Sequence, residues 1–127
     1  NKTHWTDTNG SAIQAHGGMI LQHEGMYYWY GENKDTETIN RHVDFIGISC
    51  YSSSDLEHWD NEGIVLAPMS QDPGHMLHTT KICERPRVFT ISTQSNSSCT
   101  RTQIQVIIFM QASMWLFHHP QRGRFNI

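Results

Sequence analysis

The chain has 127 residues with 12 Asp and Glu against 9 Lys and Arg, a formal charge of −3, which allows one small domain or a piece of a larger one. The charge is unevenly placed: six basic and all twelve acidic residues lie up to Arg87, whereas the last 40 residues hold three Arg and no Asp, Glu, Lys or Tyr. An acidic head argues against a nucleic-acid surface, and the longest apolar run, Val106 to Met110, is far below the roughly 20 residues of a membrane-spanning helix.

Near the start, Trp-Thr-Asp-Thr-Asn-Gly (Trp5 to Gly10) reads first as an Asx-type turn built on Asp7. Met19 to Gln22 and Met26 to Tyr30 flank Glu24-Gly25, a tight hairpin with Gly at a positive-φ position. Strand alternation places Trp29 on the opposite face from Tyr28 and Tyr30. Phe45 to Ser52 and Gly63 to Leu66 make a second strand pair, separated by Ser53 to Trp59, where Ser or Asp can cap one short helical turn. Trp59 follows Leu56 at helical spacing and reads as a packing anchor between strands. Ala67 to His78 reads as a long loop, and a further strand is expected to begin near Arg85 and run into Phe89. Short runs bounded by turn residues, with no long amphipathic helix, make the fold class all-β.

Metal and disulfide chemistry find little support. Cys50, Cys83 and Cys99 cannot all pair within one chain and match no zinc spacing. His75 with His78, and His118 with His119, lack third and fourth ligands at a recognisable spacing, so neither metal nor cofactor is expected. The start at Asn1 shows no charged-then-apolar leader, so the chain reads as a fragment whose secretion signal, if it had one, lay upstream.

Five segments in order carry a resemblance: Ile13 to Ile20 (Ile-Gln-Ala-His-Gly-Gly-Met-Ile), Glu24 to Lys34 (Glu-Gly-Met-Tyr-Tyr-Trp-Tyr-Gly-Glu-Asn-Lys), Gly47 to Trp59, Glu62 to Leu66 and Cys83 to Val88. Together they resemble glycoside hydrolase family 43, closest to its galactan exo-β-1,3-galactosidases. The resemblance covers about residues 5 to 88 and implies the first blade and the opening of the second in a five-bladed β-propeller. It also implies an extracellular parent, β-1,3-galactan as partner, and an inverting mechanism with two carboxyl groups roughly 6.5–9.5 Å apart.

By the same resemblance Glu32, at the end of an aromatic strand, and Glu84, between Cys83 and Arg85-Pro86, are the active-site carboxylates. Glu32 accepts hydrogen bonds from sugar hydroxyls, and Glu84 orients substrate or tunes the acid. Gln14, His16 and Tyr30 are sugar-binding candidates, and Gly17 allows close backbone approach. The aspartate that many members of the wider family carry near Ala-His-Gly is replaced here by Gln14, Ala15 and His16, which leaves the water-activating base unassigned. Asp7 is the other acidic candidate. Trp5, Trp29, Tyr30 and Trp59 offer flat apolar faces, most of them expected in the core.

After Arg87 the resemblance stops. Read through compatible codons two bases out of phase, Met110 to Ile127 gives Ala-Ser-Val-Asp-Val-Ala-Val-Ser-Ser-Ser-Pro-Thr-Gly-Pro-Phe-Gln-Tyr, a family-like strand and turn. Residues 1–88 are therefore expected to form the partial propeller, and 89–127 a non-homologous, frame-shifted tail without regular structure. The competing expectation is a divergent ending in which Gln103 to Leu116 supplies real strands. Asn96-Ser97-Ser98 matches a glycosylation acceptor, a coincidence if the frame is shifted. The family's general acid is a glutamate in a later blade, and no acidic residue follows Glu84. The expected function is thus a glycosidase piece inactive by itself, or alternatively a carbohydrate-binding remnant or a structural module. Open sheet edges and uncovered apolar faces predict instability.

Overall fold

The computed structural model describes residues 4–39, 42–83, 85–94, 100–110 and 113–116. Among these, all regular elements are strands: β1 (His16–His23), β2 (Met26–Glu32), β3 (Thr38–Ile39), β4 (His42–Val43), β5 (Ile48–Ser53), β6 (Asp60–Leu66), β7 (Arg87–Gln94), β8 (Thr100–Met110) and β9 (Ser113–Leu116). Every strand pairing is antiparallel, in a four-stranded sheet ordered β1-β2-β5-β6, a two-stranded β3-β4 ribbon and a three-stranded sheet ordered β7-β8-β9. No helix among the described residues is long and apolar enough to cross a membrane.

Local chemistry explains the first sheet. Glu24 and Gly25 both take positive φ, 49° and 80°, the left-handed pair of a two-residue turn whose twist matches that of its flanking strands. That turn fixes the register His23 to Met26, Leu21 to Tyr28 and Met19 to Tyr30. Alternation then divides β2: Tyr28 and Tyr30 enter one core cluster with Phe45, Ile48, Cys50, Leu77, Cys83 and Val88. Trp29 and Tyr27 pack on the other face against Ala15, Tyr51 and Trp59. Strand β5, paired on both sides, is buried throughout, while the edge strand β6 opens with exposed Asp60, Asn61 and Glu62, which discourages further strand addition.

The expected helical turn between β5 and β6 is a series of bends. Ser53 Oγ accepts from the Asp55 and Leu56 amides, and Asp55 Oδ1 accepts from the Glu57 and His58 amides. These side chains satisfy the amides that a helix would have left open, but Leu56 adopts φ 66° and prevents helical continuation. The loop expected over 67–78 is present and runs on to 83, and it folds back: Thr79 O accepts from the Phe45 amide and Leu77 is 2% exposed within the core. Chain order and sheet order together give the meander of one propeller blade, followed by strands of an incomplete second.

Beyond residue 88 the irregular tail is not what is found at 89–94, 100–110 and 113–116, where β7, β8 and β9 pair in continuous register. Thr, Ile, Val and Phe are concentrated there, and β-branched and aromatic residues favour extended backbone whatever the origin of the sequence. Val88, 1% exposed, brings this second sheet against the first through its amide, 3.0 Å from Met19 Sδ. Cys99, the Asn96 motif and the His118-His119 pair lie outside the described residues.

Candidate functional site

Three separated segments meet at the end of the first sheet where β1 begins and β2 ends, and glycines make the meeting possible. A Cβ on Gly31 would overlap the Ala15 carbonyl carbon and Cα, and a Cβ on Gly18 would overlap the Tyr30 carbonyl oxygen. Both positions therefore admit only glycine without displacing backbone. The β1–β2 register shifts between His16 and Met19, and this irregularity sets His16 opposite Glu32. Gly17, at φ 58°, would bring a Cβ within 3.7 Å of the Arg85 amide nitrogen, so the Cys83–Arg87 segment lies against the same corner. Cys83 is fully buried there, and its thiol is pushed up to about 12 by burial and, secondarily, by the negative charge of Glu32.

Glu32 is 3% exposed, and its Oε2 pairs with Lys34 Nζ at 3.1 Å. A carboxylate taken this far from water needs a cation or donors. Lys34 supplies the charge while its own side chain stays partly solvated. Sequence reasoning missed Lys34; the signal available was its position two residues after Glu32, the same-side spacing of an extended chain. Gln14 is anchored through its amide to Tyr51 Oη at 3.0 Å, and its Oε1 pairs with His16 Nε2 at 3.0 Å. Beside these two side chains opens a cleft of about 330 Å³, walled also by Trp5, Ile13 and Trp29. Glu84 lies outside the described residues, between buried Cys83 and exposed Arg85, which takes φ 55°.

Tyr30 does not belong to the surface of the site. It is wholly buried in the cluster with Phe45, Leu77 and Val88, because its strand parity faces the second sheet and the returning loop. Its hydroxyl lies beside the Cys50 thiol without a well-aligned hydrogen bond among the described residues, and burial pushes the phenol well above its ordinary range and the thiol up to about 12. Asp7 is also occupied: its Oδ1 accepts from the Asn9 and Ser11 amides, the Asx turn expected from the sequence. Trp59 is the anchor expected, 1% exposed and edge-on to Trp29 at 5.3 Å, but Trp5 is 58% exposed.

Solved structures with this arrangement share a description. A family 43 β-1,3-galactosidase solved with galactodeoxynojirimycin is 38% identical, with a TM-score of 0.62 over 87% of this chain and 30% of its own. An exo-β-1,3-galactanase from Phanerochaete chrysosporium, solved with β-1,3-galactotriose, is 33% identical, with a TM-score of 0.59 over 84% of this chain and 25% of its own. One from Clostridium thermocellum is 36% identical, with a TM-score of 0.55 over 85% of this chain and 20% of its own. The chain belongs to glycoside hydrolase family 43. It spans less than a third of the length of each of these family 43 structures. No protein-family model matches the chain, and no curated protein does.

Proposed function

We propose that this chain is the first-blade part of an extracellular, inverting glycosidase of the exo-β-1,3-galactanase type, and that these 127 residues bind β-linked galactose without hydrolysing it. The observation that carries the proposal is the convergence of the Gln14–Gly18 segment, the Gly31-Glu32 strand end and the Cys83–Arg87 segment on one corner. There Glu32, its Oε2 paired with Lys34 Nζ, offers carboxylate oxygens as acceptors for hydroxyl donors, and the Gln14 and His16 side chains add planar donors and acceptors. Glu84 is assigned the second carboxylate, which orients the sugar. Inverting hydrolysis needs an acid on the leaving oxygen and a base on water from the opposite face. No Asp or Glu follows Glu84 within these 127 residues, so they supply groups for the binding half of the chemistry and none for the family's later-blade acid.

Calorimetric titration with β-1,3-galactotriose beside a reducing-sugar assay tests this. Binding without turnover is the expected result. Turnover would remove the claim of inactivity, and a folded sample that binds no sugar would support a structural module instead. We also propose that the chain from residue 89 is read out of frame. Support comes from the family-like translation in the shifted phase and the loss of every acidic residue after Glu84. The matched share of the chain exceeds what residues 1–88 alone supply, so the superposition takes in part of β7 to β9. The nucleotide sequence around codon 88 decides: if no one- or two-base change restores a family-like open frame, the tail is genuine protein.

A further inference from the structure

The geometry points to Trp5 as a stacking platform for one galactose unit, in a subsite formed by the cleft between Trp5, Trp29 and the Gln14–His16 pair. This inference rests on the sugar-binding reading above and adds to it a residue, a ligand face and an epimer preference.

Trp5 stands apart from the other described tryptophans, being 58% exposed while Trp59 is 1% exposed. Exposure of an indole usually signals a loose segment, yet Trp5 is held on two sides. Its carbonyl accepts from the Ile13 amide at 2.9 Å, next to the Thr6–Ala12 bridge. Its ring meets Trp29 at 5.5 Å and 85°, and Trp29 in turn meets Trp59 at 5.3 Å. A rigid aromatic with two torsions presents contact area at low entropic cost.

The rest of the cleft suits a hydroxylated ring. Its volume of about 330 Å³ falls within the roughly 300–1,000 Å³ of small-molecule sites, at the end that fits a single hexose. Gln14 Oε1 and His16 Nε2 are committed to each other, which leaves the Gln14 amide NH₂ and the His16 Nδ1 for hydroxyls. An aromatic wall with a few convergent polar groups is the usual composition of such a site. Galactose fits it better than glucose for a stereochemical reason. Its axial 4-hydroxyl clears one face of the ring, so the hydrogens on C3, C4 and C5 form a continuous apolar patch that can lie on an indole.

The test compares the 127-residue chain with Trp5→Tyr and Trp5→Leu by calorimetry with β-1,3-galactotriose and, as the epimeric control, β-1,3-glucotriose. Both substitutions keep apolar bulk on an exposed position, so both are expected to fold, but only Tyr keeps a stacking face. Trp5→Leu is expected to weaken galactotriose binding about tenfold and Trp5→Tyr by clearly less, and neither changes the weaker glucotriose response. Tyr and Leu variants that bind equally would overturn the platform while leaving the sugar-binding reading intact. Failure of the unaltered chain to bind galactotriose would remove both. A change in self-association with binding unaltered would show the exposed indole to be a face for a second copy instead.

Discussion

Gly31→Ala probes the contact on which the candidate site depends. The new Cβ would occupy the space of the Ala15 carbonyl carbon and Cα, which are backbone atoms that no rotamer change can move aside. Either β2 or the Ile13–Gly18 segment must shift. Overpacking of this kind costs roughly 1–3 kcal/mol. The shift also strains the 3.0 Å bond from the Gln14 amide to Tyr51 Oη, a further loss of about 1 kcal/mol. Reduced freedom of the unfolded chain returns about 0.4–1 kcal/mol. A net destabilisation of about 1–3.5 kcal/mol is expected, together with weaker galactotriose binding because His16 no longer faces Glu32. Gly74→Ala is the control, since a Cβ there meets no backbone atom and only Asp72 Oδ1 at 3.2 Å, an exposed side-chain oxygen that accepts from the Gly74 amide, so its change should stay within about 1 kcal/mol. Urea unfolding followed by tryptophan emission measures both. If Gly31→Ala matches the unaltered chain to within about 0.5 kcal/mol and binds normally, the close approach of Ala15 to β2 is not a constraint and the reasoning fails.

Three further outcomes are expected. Trp59→Ala removes a side chain 1% exposed from the Tyr51–Trp29 cluster and should cost about 3–5 kcal/mol in the same unfolding measurement; a cost below about 1 kcal/mol would show that the cluster is not packed in solution. His58 titrates above its ordinary 6.5 because Asp55 Oδ2 bonds its Nδ1 at 2.7 Å. A raised folded-state pKa stabilises below the unfolded value and loses that contribution as pH rises through the folded one. Asp55→Asn should therefore return the His58 midpoint in an NMR titration towards 6.5, and an unmoved midpoint would show that the pair is not formed in solution. Cys50 and Cys83, with thiols pushed up to about 12, should resist alkylation at pH 8 in the native chain and react fully in denaturant; rapid native labelling of either would mean that the first core cluster opens readily.

Much of the first sheet was legible in advance because its signals are local. Glu24-Gly25 names its own turn, alternation separates Trp29 from Tyr28 and Tyr30, and Asp7 two residues before Asn9 is an Asx turn by its own side chain. Three readings failed, each for a different reason. Ser53 and Asp55 have the capping chemistry of a helix start, but the tertiary path forces Leu56 into the left-handed region and the turn becomes a series of bends. Residues after 88 carry no family motif, yet β-branched composition alone suffices to pair them as strands. Tyr30 has the residue type of a sugar-binding side chain, and only the loop returning through Leu77 and the strand starting near Val88 show that its face is closed.

The amino-acid sequence by itself determined the strand periodicity, the turns and the identity of the carboxylates and glycines, since these depend on residues adjacent along the chain or two apart. Only the tertiary structure decided which of those residues share a site. The approach of Gly31 to Ala15, of Gly17 to Arg85 and of Glu32 to Cys83 joins segments up to about seventy residues apart. Whether an aromatic is core or platform was decided in the same way: Trp59 and Trp5 carry the same side chain, but packing covers one and leaves the other facing the cleft.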